Sequence, residues 1–313
     1  MNDKNYKGHL AMLTANIIWG LNAPIGKAVL DSGISALSLT TFRMVGAAVA
    51  FWIASIFTKR EHVKSEDLMM LFFAALFGIV LNQGSFIFGL SLTSPIDASI
   101  VTTTTPIVTM IVAAIYLKEP VTNKKVLGIF IGAMGALTLI LSSQGTASSG
   151  SSSSIWGDLL CLTAQISFAI YLTVFRNVIV KYSAITIMKW MFIYASMCFI
   201  PFSYRDVTAI NFMEIKPEIY MGISFVVFGA TFLSYLFVMI GQKSLRPTLV
   251  SMYNYVQPIV ASFIAVAMGL DHFGWSKAGA IVLVFVGVYI VTQSKSKAQL
   301  DALKTDREKK KVK

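Results

Sequence analysis

The sequence predicts an all-α integral membrane protein with ten transmembrane helices, arranged as two inverted repeats of five helices. Three observations predict this fold. Hydrophobic residues make up 56% of the chain and charged residues only 13%, whereas a soluble domain carries about a quarter charged residues. Apolar stretches of about 18–25 residues recur, which is the length of an α-helix that crosses roughly 30 Å of hydrocarbon. Several phrases of the first half also return in the second half at a nearly constant distance.

Charged, proline and serine/glycine islands divide the chain into ten apolar segments, which are numbered here in chain order. Segments 1 to 10 cover residues 9–29, 34–57, 67–90, 94–117, 124–142, 155–178, 184–204, 217–240, 246–268 and 274–293. The uncharged stretch SSQGTASSGSSSS after segment 5 is typical of a flexible linker. We therefore expect a first five-helix repeat over 1–143, a linker over 144–154, a second repeat over 155–294 and a basic cytoplasmic tail over 295–313.

Lysine and arginine residues indicate the orientation of these helices. With the N-terminus inside, the inner loops and the tail hold twenty of these residues and the outer loops hold four. Positive charge in short loops marks the cytoplasmic side of a membrane. We expect a multi-pass protein of the plasma (inner) membrane with both termini in the cytoplasm. The basic tail supplies much of the net charge of +11, and we expect it to contact anionic membrane lipid. We expect no nucleic-acid partner.

Four pairs of matching residues indicate an internal duplication. Their offsets are 149, 148, 151 and 152 residues, and they follow the same order in both halves. The pairs are GHLAMLTAN (8–16) with GDLLCLTAQ (157–165), SALSLTTF (35–42) with SAITIMKW (183–190), FG (77–78) with FG (228–229), and Pro106 and Glu119 with Pro258 and Asp271. Because five is an odd number of segments, the second copy must lie upside down in the membrane. Inverted repeats are typical of secondary transporters, whose binding site lies near the midplane where the repeats meet.

Several features of the chain coincide with those of a known family. They are Trp19–Gly20 in segment 1, Arg43 in segment 2, Pro106 with Glu119 at the end of segment 4, and the glycine-rich GIFIGAMG (128–135) in segment 5. With these features the chain resembles the EamA family of the drug/metabolite transporter superfamily. The second half departs from the pattern at Phe168–Ala169, which replaces Trp-Gly, and at Asp271, which replaces glutamate. The resemblance implies a central cavity lined by segments 1–4 and 6–9, with segments 5 and 10 at the periphery, and export of amino acids, other metabolites or drugs.

Two polar and aromatic stripes are candidates for the lining of such a cavity. Successive residues of a helix turn by about 100°, so Asn16, Trp19 and Asn22 share one face of segment 1. The corresponding stripe of segment 6 consists of Gln165, Phe168 and Tyr171. These residues would either line a cavity for organic metabolites or form hydrogen bonds between neighbouring helices.

Polar residues inside segments 2 and 3 extend the candidate site. Arg43 lies about nine residues into segment 2, where a charged side chain is costly. It would either extend to the headgroups or face the cavity, where it would bind an anionic group or orient nearby helices. Asn82 and Gln83 form a further polar pair in segment 3, with cavity lining and interhelical bonding both open.

Prolines at matching depth in segments 4 and 9 are candidate hinges. Pro106 and Pro258 each remove a helical hydrogen bond and loosen the helix at that point. Four threonines precede Pro106, and Tyr253, Asn254 and Gln257 precede Pro258. These hydroxyl and amide groups would bind substrate, satisfy the loosened backbone, or do both.

The remaining chemistry-bearing residues indicate no catalytic site, metal site or cofactor. The three histidines are scattered at segment ends, and both cysteines lie inside apolar segments as small buried hydrophobes. Asp97 follows Ser94 and Pro95 in the pattern of a capped first helical turn. A P-loop for ATP is absent from the sequence.

Together these patterns predict a secondary transporter that moves small organic metabolites, amino-acid-like solutes or drugs, by alternating access and in the direction of efflux. The alternatives are a channel-like facilitator or lipid-linked carrier and, from another class, a membrane-embedded enzyme or receptor. The expected partners are a small-molecule substrate and membrane lipid. The sequence leaves open whether the protein forms a homodimer. The predicted substrate-binding residues are Asn16, Trp19, Asn22, Arg43, Asn82, Gln83, Gln165, Tyr171, Tyr253, Asn254 and Gln257, with Pro106 and Pro258 as hinges.

Overall fold

The computed structural model describes residues 3–93, 95–142, 155–267 and 274–294. Every regular element in these residues is a helix. The predicted linker, Asp271 and the basic tail lie outside these residues, and so does the side chain of Asp97.

The helices follow the predicted segments closely. Segments 1, 2, 3, 5, 6, 7, 8 and 10 form helices over Asp3–Asp31, Ala36–Ile56, Ser65–Leu92, Asn123–Ser142, Ile155–Val174, Ala184–Thr208, Pro217–Ser244 and Trp275–Thr292. Segments 4 and 9 are each divided in two, into Pro95–Thr102 with Thr105–Tyr116 and Pro247–Met252 with Val256–Ala267. Segment 6 ends earlier than predicted, because a separate short helix, Arg176–Lys181, follows a turn at Phe175.

Local sequence explains where several of these helices begin. The hydroxyl groups of Ser35 and Ser183 accept hydrogen bonds from the N–H groups of Ser38 and Thr186, which caps segments 2 and 7. These caps satisfy donors that the first helical turn leaves unpaired. Prolines stand at the first turn of segment 8 and of the first helix of segment 9, where no N–H donor is needed.

Two of the helices contain a wider, π-helical stretch. One π segment covers Leu76–Leu81 in segment 3, and the other covers Phe225–Leu233 in segment 8. A π segment shifts the helical register and frees backbone carbonyl groups from their usual partners, and it frequently marks a functional site. The FG phrases that repeat in the sequence lie within these two stretches.

Within the described residues, seven helices are long and apolar enough to cross a membrane. They are Ala36–Ile56, Ser65–Leu92, Ala98–Tyr116, Ile155–Val174, Ala184–Thr208, Pro217–Ser244 and Trp275–Thr292. Ala98–Tyr116 is counted here as one span across the turn that divides segment 4. Only 28–50% of each apolar stretch is buried inside the protein, so the rest of its surface is free to meet lipid. The chain is therefore an all-helical, multi-pass membrane protein, and the full set of ten spans stays a prediction.

Helices from both halves of the chain pack around the centre of the molecule. Segment 2 packs against segment 7, segment 1 against segments 8 and 9, and segment 6 against segments 3 and 4. Aromatic contacts support the first of these interfaces, where the rings of Phe51 and Phe192 stack with centroids 5.5 Å apart. These helices enclose the candidate site.

Segments 5 and 10 pack against each other through glycine residues. A Cβ atom at Gly287 would lie 2.6 Å from the carbonyl oxygen of Gly128 and 2.6 Å from the amide nitrogen of Gly132. Backbone atoms cannot yield as a flexible side chain would. The two helices therefore approach each other as closely as small-residue membrane interfaces allow.

We predict that Gly287→Ala destabilises the protein, because the new methyl group overlaps the backbone of segment 5. Overpacking of this kind costs about 1–3 kcal/mol of unfolding free energy. The measurement is the thermal midpoint of the detergent-solubilised protein. Gly279→Ala is the matched control on the same helix, because nothing lies within 4 Å of a Cβ atom there. Equal midpoints for the two variants would contradict the close packing of segments 5 and 10.

Candidate functional site

A cavity of about 50 Å³ lies between the helices of both halves. Segments 1, 2, 3, 4, 6 and 9 each contribute side chains to it. The lining residues are Trp19, Asn22, Arg43, Asn82, Gln83, Phe86, Thr102, Gln165, Phe168, Asn254 and Gln257. Eight of the eleven residues proposed from the sequence are thus brought together in one place. The cavity has room for a few water molecules and is much smaller than the roughly 300–1,000 Å³ of ordinary ligand pockets.

Arg43 is the one charged residue among the described residues that line the cavity. Its side chain is 1% exposed, so it does not extend to the membrane surface, and that alternative is wrong. The Nε group donates a hydrogen bond of 2.9 Å to the hydroxyl group of Thr231. Nη1 is buried and has no hydrogen-bond partner in the described part of the chain.

The position of Thr231 follows from the π segment of segment 8. Its hydroxyl group donates to the carbonyl oxygen of Val226, five residues earlier, at 2.8 Å. The same oxygen accepts from Arg43, so the guanidinium group is anchored to a fixed point on segment 8. Close contact between the helices allows this bond, because Gly46 brings segment 2 against Val227.

Aromatic side chains form one wall of the site. The ring of Trp19 makes edge-on contacts with Phe168 at a centroid distance of 6.0 Å and with Tyr235 at 5.8 Å. The indole Nε1 group of Trp19 donates to the carbonyl oxygen of Ala230, in the π segment, at 2.9 Å. Because its one donor is used in this way, the indole ring offers an oriented apolar face to the cavity.

The polar pair of segment 3 both lines the cavity and connects helices. Asn82 donates through Nδ2 to the carbonyl oxygen of Ala164 at 2.9 Å. Gln83 donates through Nε2 to the hydroxyl group of Tyr235 at 2.6 Å, and this hydroxyl donates to the carbonyl oxygen of Gly78 at 3.0 Å. Both alternatives predicted for these amides therefore hold in the geometry: they face the cavity and they bond other helices.

Two polar bridges cross the site beside the breaks in segments 4 and 9. In one bridge, Gln257 Nε2 donates to Asn16 Oδ1 at 2.9 Å, which joins segments 9 and 1. In the other, the Thr105 hydroxyl group lies 2.7 Å from Gln165 Oε1, which joins segments 4 and 6. Asn16 does not line the cavity itself but holds Gln257, which does. The two bridges occupy corresponding positions of the two halves, with offsets of 149 and 152 residues.

The four threonines before Pro106 satisfy the backbone of the broken helix. Each hydroxyl group lies within 2.6–2.8 Å of a carbonyl oxygen three or four residues earlier. The hydroxyl group of Thr105 lies 2.7 Å from the carbonyl oxygen of Thr102, the group that Pro106 leaves without its usual N–H donor. Its single proton is donated either to this oxygen or to Gln165 Oε1. Segment 9 instead passes through a 3₁₀ turn, Tyr253–Tyr255, before Pro258.

Two amide groups at the cavity retain an unpartnered atom. Oδ1 of Asn22 and Oδ1 of Asn254 are buried and have no hydrogen-bond partner among the described residues. Buried polar atoms of native proteins are nearly always paired, so unpaired ones indicate a place where water or a ligand binds. Together with Arg43 Nη1, these atoms make the cavity a site with unused hydrogen-bonding capacity.

Two of the predicted residues, Tyr171 and Tyr253, lie away from the cavity. Tyr171 is fully buried and its ring packs directly against Gly78, where a Cβ atom would lie 2.6 Å from the ring. It therefore fills space between segments 6 and 3, one turn beyond Phe168. The hydroxyl group of Tyr253 lies 2.5 Å from His9 Nδ1, at the N-terminal end of segment 1.

Three lining residues, Phe86, Thr102 and Phe168, were not among the eleven predicted substrate-binding residues, although Phe168 belongs to the stripe that the sequence indicated on segment 6. Phe86 lies one turn beyond Asn82 on the same helix face, and that spacing was its one sequence signal. Thr102 belongs to the threonine run already singled out as polar. An apolar residue within an apolar helix is otherwise indistinguishable from one that faces lipid.

Polar contacts also join the two halves of the chain at both ends of the bundle. At the end that holds the loop after segment 2, the Tyr182 hydroxyl donates to Asp67 at 2.5 Å, and the Ser183 N–H donates to Glu61 at 2.8 Å. Partial burial acts to raise the pKa of Glu61, but hydrogen bonds from Thr186 and Ser183 outweigh it and lower the pKa. Glu61 thus remains a charged acceptor at neutral pH.

The opposite end of the bundle has its own contacts between the halves. The hydroxyl group of Ser35 donates to Asp206 at 3.0 Å, and the hydroxyl group of Thr93 donates to Asp158 at 2.7 Å. These bonds link segment 2 to segment 7 and segment 3 to segment 6. The cavity therefore lies between two sets of contacts that hold the halves together.

Comparison with known proteins gives consistent relatives. An uncharacterized transporter of Bacillus subtilis, YyaM, is 27% identical over 290 residues, which cover 91% of this chain and 93% of the relative. A WAT1-related protein of Arabidopsis thaliana is 24% identical over 327 residues and covers 93% of this chain and 86% of the relative. A solved crystal structure superposes with a TM-score of 0.69 at 16% identity and covers 92% of this chain and 97% of the other, a likeness that shows the fold alone.

A family model matches the chain over most of its length. The model of the EamA-like transporter family matches residues 6–141 and matches a second time over residues 155–293. The resemblance noted in the sequence is thereby confirmed, and the relatives named as transporters agree with it. The chain belongs to the EamA-like transporter family, and it is a membrane transporter.

Proposed function

We propose that the protein is a secondary transporter that moves small organic metabolites out of the cell by alternating access. The observation that carries this proposal is the central cavity, where helices of both halves place aromatic rings, amides and unpartnered polar atoms together. The lining residues are suited to binding a solute by packing and hydrogen bonding. They contain no pair of a nucleophile and a base among the described residues, which favours a carrier over an enzyme.

The proposed architecture is ten membrane helices in two inverted repeats. Three features support it beyond the repeated phrases of the sequence. The two π segments, the two proline-associated breaks and the two polar bridges each recur at an offset near 150 residues. The main helix contacts also have the same pattern in both halves. Segment 1 packs against segment 8, and the corresponding segment 6 packs against segment 3. The family model matches each half separately.

Alternating access requires that the two ends of the bundle open in turn. The cavity is too small for a metabolite as it stands, and contacts between the halves hold both ends. We therefore assign this conformation to a closed intermediate between two open states. The breaks near Pro106 and Pro258 place a deformable point in each half at the depth of the cavity. A closed intermediate of this kind favours a carrier over a channel-like facilitator, which needs a path open at both ends.

Comparison of metabolites inside and outside cells with and without the protein is the first experiment that this proposal needs. A solute that leaves the cell only when the protein is present then serves as substrate for counterflow in proteoliposomes. A carrier exchanges labelled solute across the membrane without net flux. A receptor or an enzyme gives no exchange, and that result would refute the proposed function.

We predict that cysteines introduced at Ser65 and at Ser149 face opposite sides of the membrane. Ser65 begins segment 3 on the predicted cytoplasmic side, and Ser149 lies in the predicted outer linker. In a background without Cys161 and Cys198, an impermeant thiol reagent added to intact cells should label only the Ser149→Cys protein. Labelling of Ser65→Cys from outside would overturn the proposed orientation.

We predict that Trp19→Ala and Asn16→Leu reduce transport more than they reduce the amount of protein in the membrane. Trp19→Ala removes an apolar face of the cavity, and Asn16→Leu releases Gln257 from its bridge. Each change should lower export of the identified solute about tenfold, the effect of ~1.4 kcal/mol in binding. Ile17→Ala is the matched control, because Ile17 faces outward on the same helix. Equal losses of transport and of protein would assign these residues to helix packing alone.

We predict that a covalent link across one end of the bundle stops transport. Cysteines at Ser35 and Asp206 replace two side chains that form a hydrogen bond between the halves. Cysteines at Glu61 and Ser183 replace residues that are joined by a hydrogen bond from the Ser183 backbone N–H to the Glu61 carboxylate. A short thiol-reactive cross-linker should abolish export in either pair, since each end must open once per cycle. The single-cysteine proteins treated in the same way are the controls. Full transport by a completely cross-linked protein would contradict alternating access.

A further inference from the structure

We propose that Arg43 is the binding site for an anionic group of the transported solute, so that the protein selects organic acids and rejects cations. This inference deepens the proposed function and rests on it for its biological meaning. It specifies the charge that the solute must carry and the side chain that binds this charge. The charge balance of the cavity is the first ground for it.

Arg43 brings an uncompensated positive charge into the centre of the protein. Its side chain is 1% exposed, and no acidic residue is among the described residues that line the cavity. A buried charge is costly unless it is paired, and Thr231 supplies only a neutral hydroxyl oxygen. An anion that enters the cavity would supply the missing countercharge, whereas a cationic solute would meet like charge in a low-dielectric site.

The geometry of the guanidinium group leaves it ready for such an anion. Thr231 occupies the Nε donor, and it is itself held by the carbonyl oxygen of Val226. Nη1 has no partner among the described residues. A carboxylate prefers two parallel N–H donors of arginine, which adds geometric selection to the attraction between charges. The anchored Nε therefore orients the remaining donors before any ligand binds.

The rest of the cavity accommodates the remainder of an organic acid. The buried amides of Asn22 and Asn254 each have an oxygen without a partner, which can accept hydrogen bonds from the solute. Trp19, Phe86 and Phe168 supply apolar surface for a carbon skeleton. The cavity thus combines one cationic donor, neutral polar groups and aromatic rings, a set that matches a solute with one anionic end.

Formate is a suitable probe, because it is an anion small enough for a cavity of about 50 Å³. The purified full-length protein would be titrated with sodium formate while sodium gluconate keeps the ionic strength constant. The neutral isostere formamide is titrated in parallel. Formate should raise the thermal midpoint in a saturable way, and formamide and gluconate should not.

Variants assign the effect to Arg43. Arg43→Gln should weaken the apparent affinity for formate by roughly 10- to 100-fold, the range implied by loss of a charge-assisted hydrogen bond. Lys189→Gln is the control for general charge effects, because Lys189 lies over the ring of Trp52, 4.9 Å from its centroid, outside the cavity lining. It should keep the full response to formate.

Two further variants separate anion binding from a purely structural role of the Arg43–Thr231 bond. Thr231→Val removes the bond between segments 2 and 8 but retains the charge, so formate should still raise the thermal midpoint, although with weaker apparent affinity because the guanidinium group is no longer anchored. Arg43→Lys retains charge without the planar fork and should bind formate more weakly than the wild type. If Arg43→Gln does not fold, these two variants decide, and an unchanged response in Arg43→Lys together with a lost response in Thr231→Val overturns the inference.

Other results would also overturn it. Equal protection by formate and formamide, no protection of the wild-type protein by formate, or an undiminished response in Arg43→Gln would each show that Arg43 does not bind an anion. Counterflow separates this failure from failure of the proposed function. A protein that exchanges a neutral or cationic solute but does not respond to formate refutes the anion site alone, whereas a protein that responds to formate but exchanges no solute refutes transport.

Discussion

In the hydrocarbon of a membrane, each backbone N–H and C=O group needs a partner within the protein, and the centre of this molecule depends on that constraint. The π segments and the two broken helices free carbonyl groups at the depth of the cavity. Side chains of the opposite half meet three of these groups. Trp19 donates to Ala230, Ser167 to Phe77 and Tyr235 to Gly78. The helices therefore deviate from regular geometry where another segment supplies a donor or, in segment 4, where threonine hydroxyls of the same helix do so, and these places together surround the cavity.

The same constraint applies to buried side-chain atoms that lack a hydrogen-bond partner. Arg43 Nη1, Asn22 Oδ1 and Asn254 Oδ1 belong to residues that line the cavity, although they come from three different segments. Five further buried polar atoms without a partner among the described residues lie outside the cavity lining, on Thr109, Tyr171, Gln242 and Arg246, so the cavity holds three of eight. Each such atom adds a desolvation cost. At the three cavity residues, a polar solute or water that enters the cavity would supply the missing partner. The unpaired atoms therefore lower stability at these positions, and the bonds around them, such as Arg43 to Thr231, limit that cost.

Most of the fold and much of the candidate site can be predicted from the sequence, for one physical reason. A polar residue within an apolar helix is costly in lipid, so the inward orientation of Asn82, Gln83 and Gln165 follows from their residue type and position alone. Helical periodicity is less informative about depth and rotation. It groups Tyr171 with Gln165, although the close approach of Gly78 places the tyrosine ring in a packed interface. The π segments shift the register of the helix, and no residue type marks them. Phe86 was missed because an aromatic residue at the cavity and one facing lipid look alike in sequence.

The proposed duplication is symmetric in its mechanics and asymmetric in its chemistry. The breaks, the π segments and the polar bridges recur in both halves, as the proposed cycle between two opposed states requires. Some of the residues that line the cavity differ between the halves. Trp19 corresponds to Phe168 at an offset of 149 residues, and Arg43 corresponds to the buried, apolar Met191 at an offset of 148. A solute with two different ends can be held in only one orientation by such a cavity, because only one half supplies the charge. In the proposed mechanism, duplication accounts for the two ways of opening, and divergence at a few lining positions accounts for recognition of the solute.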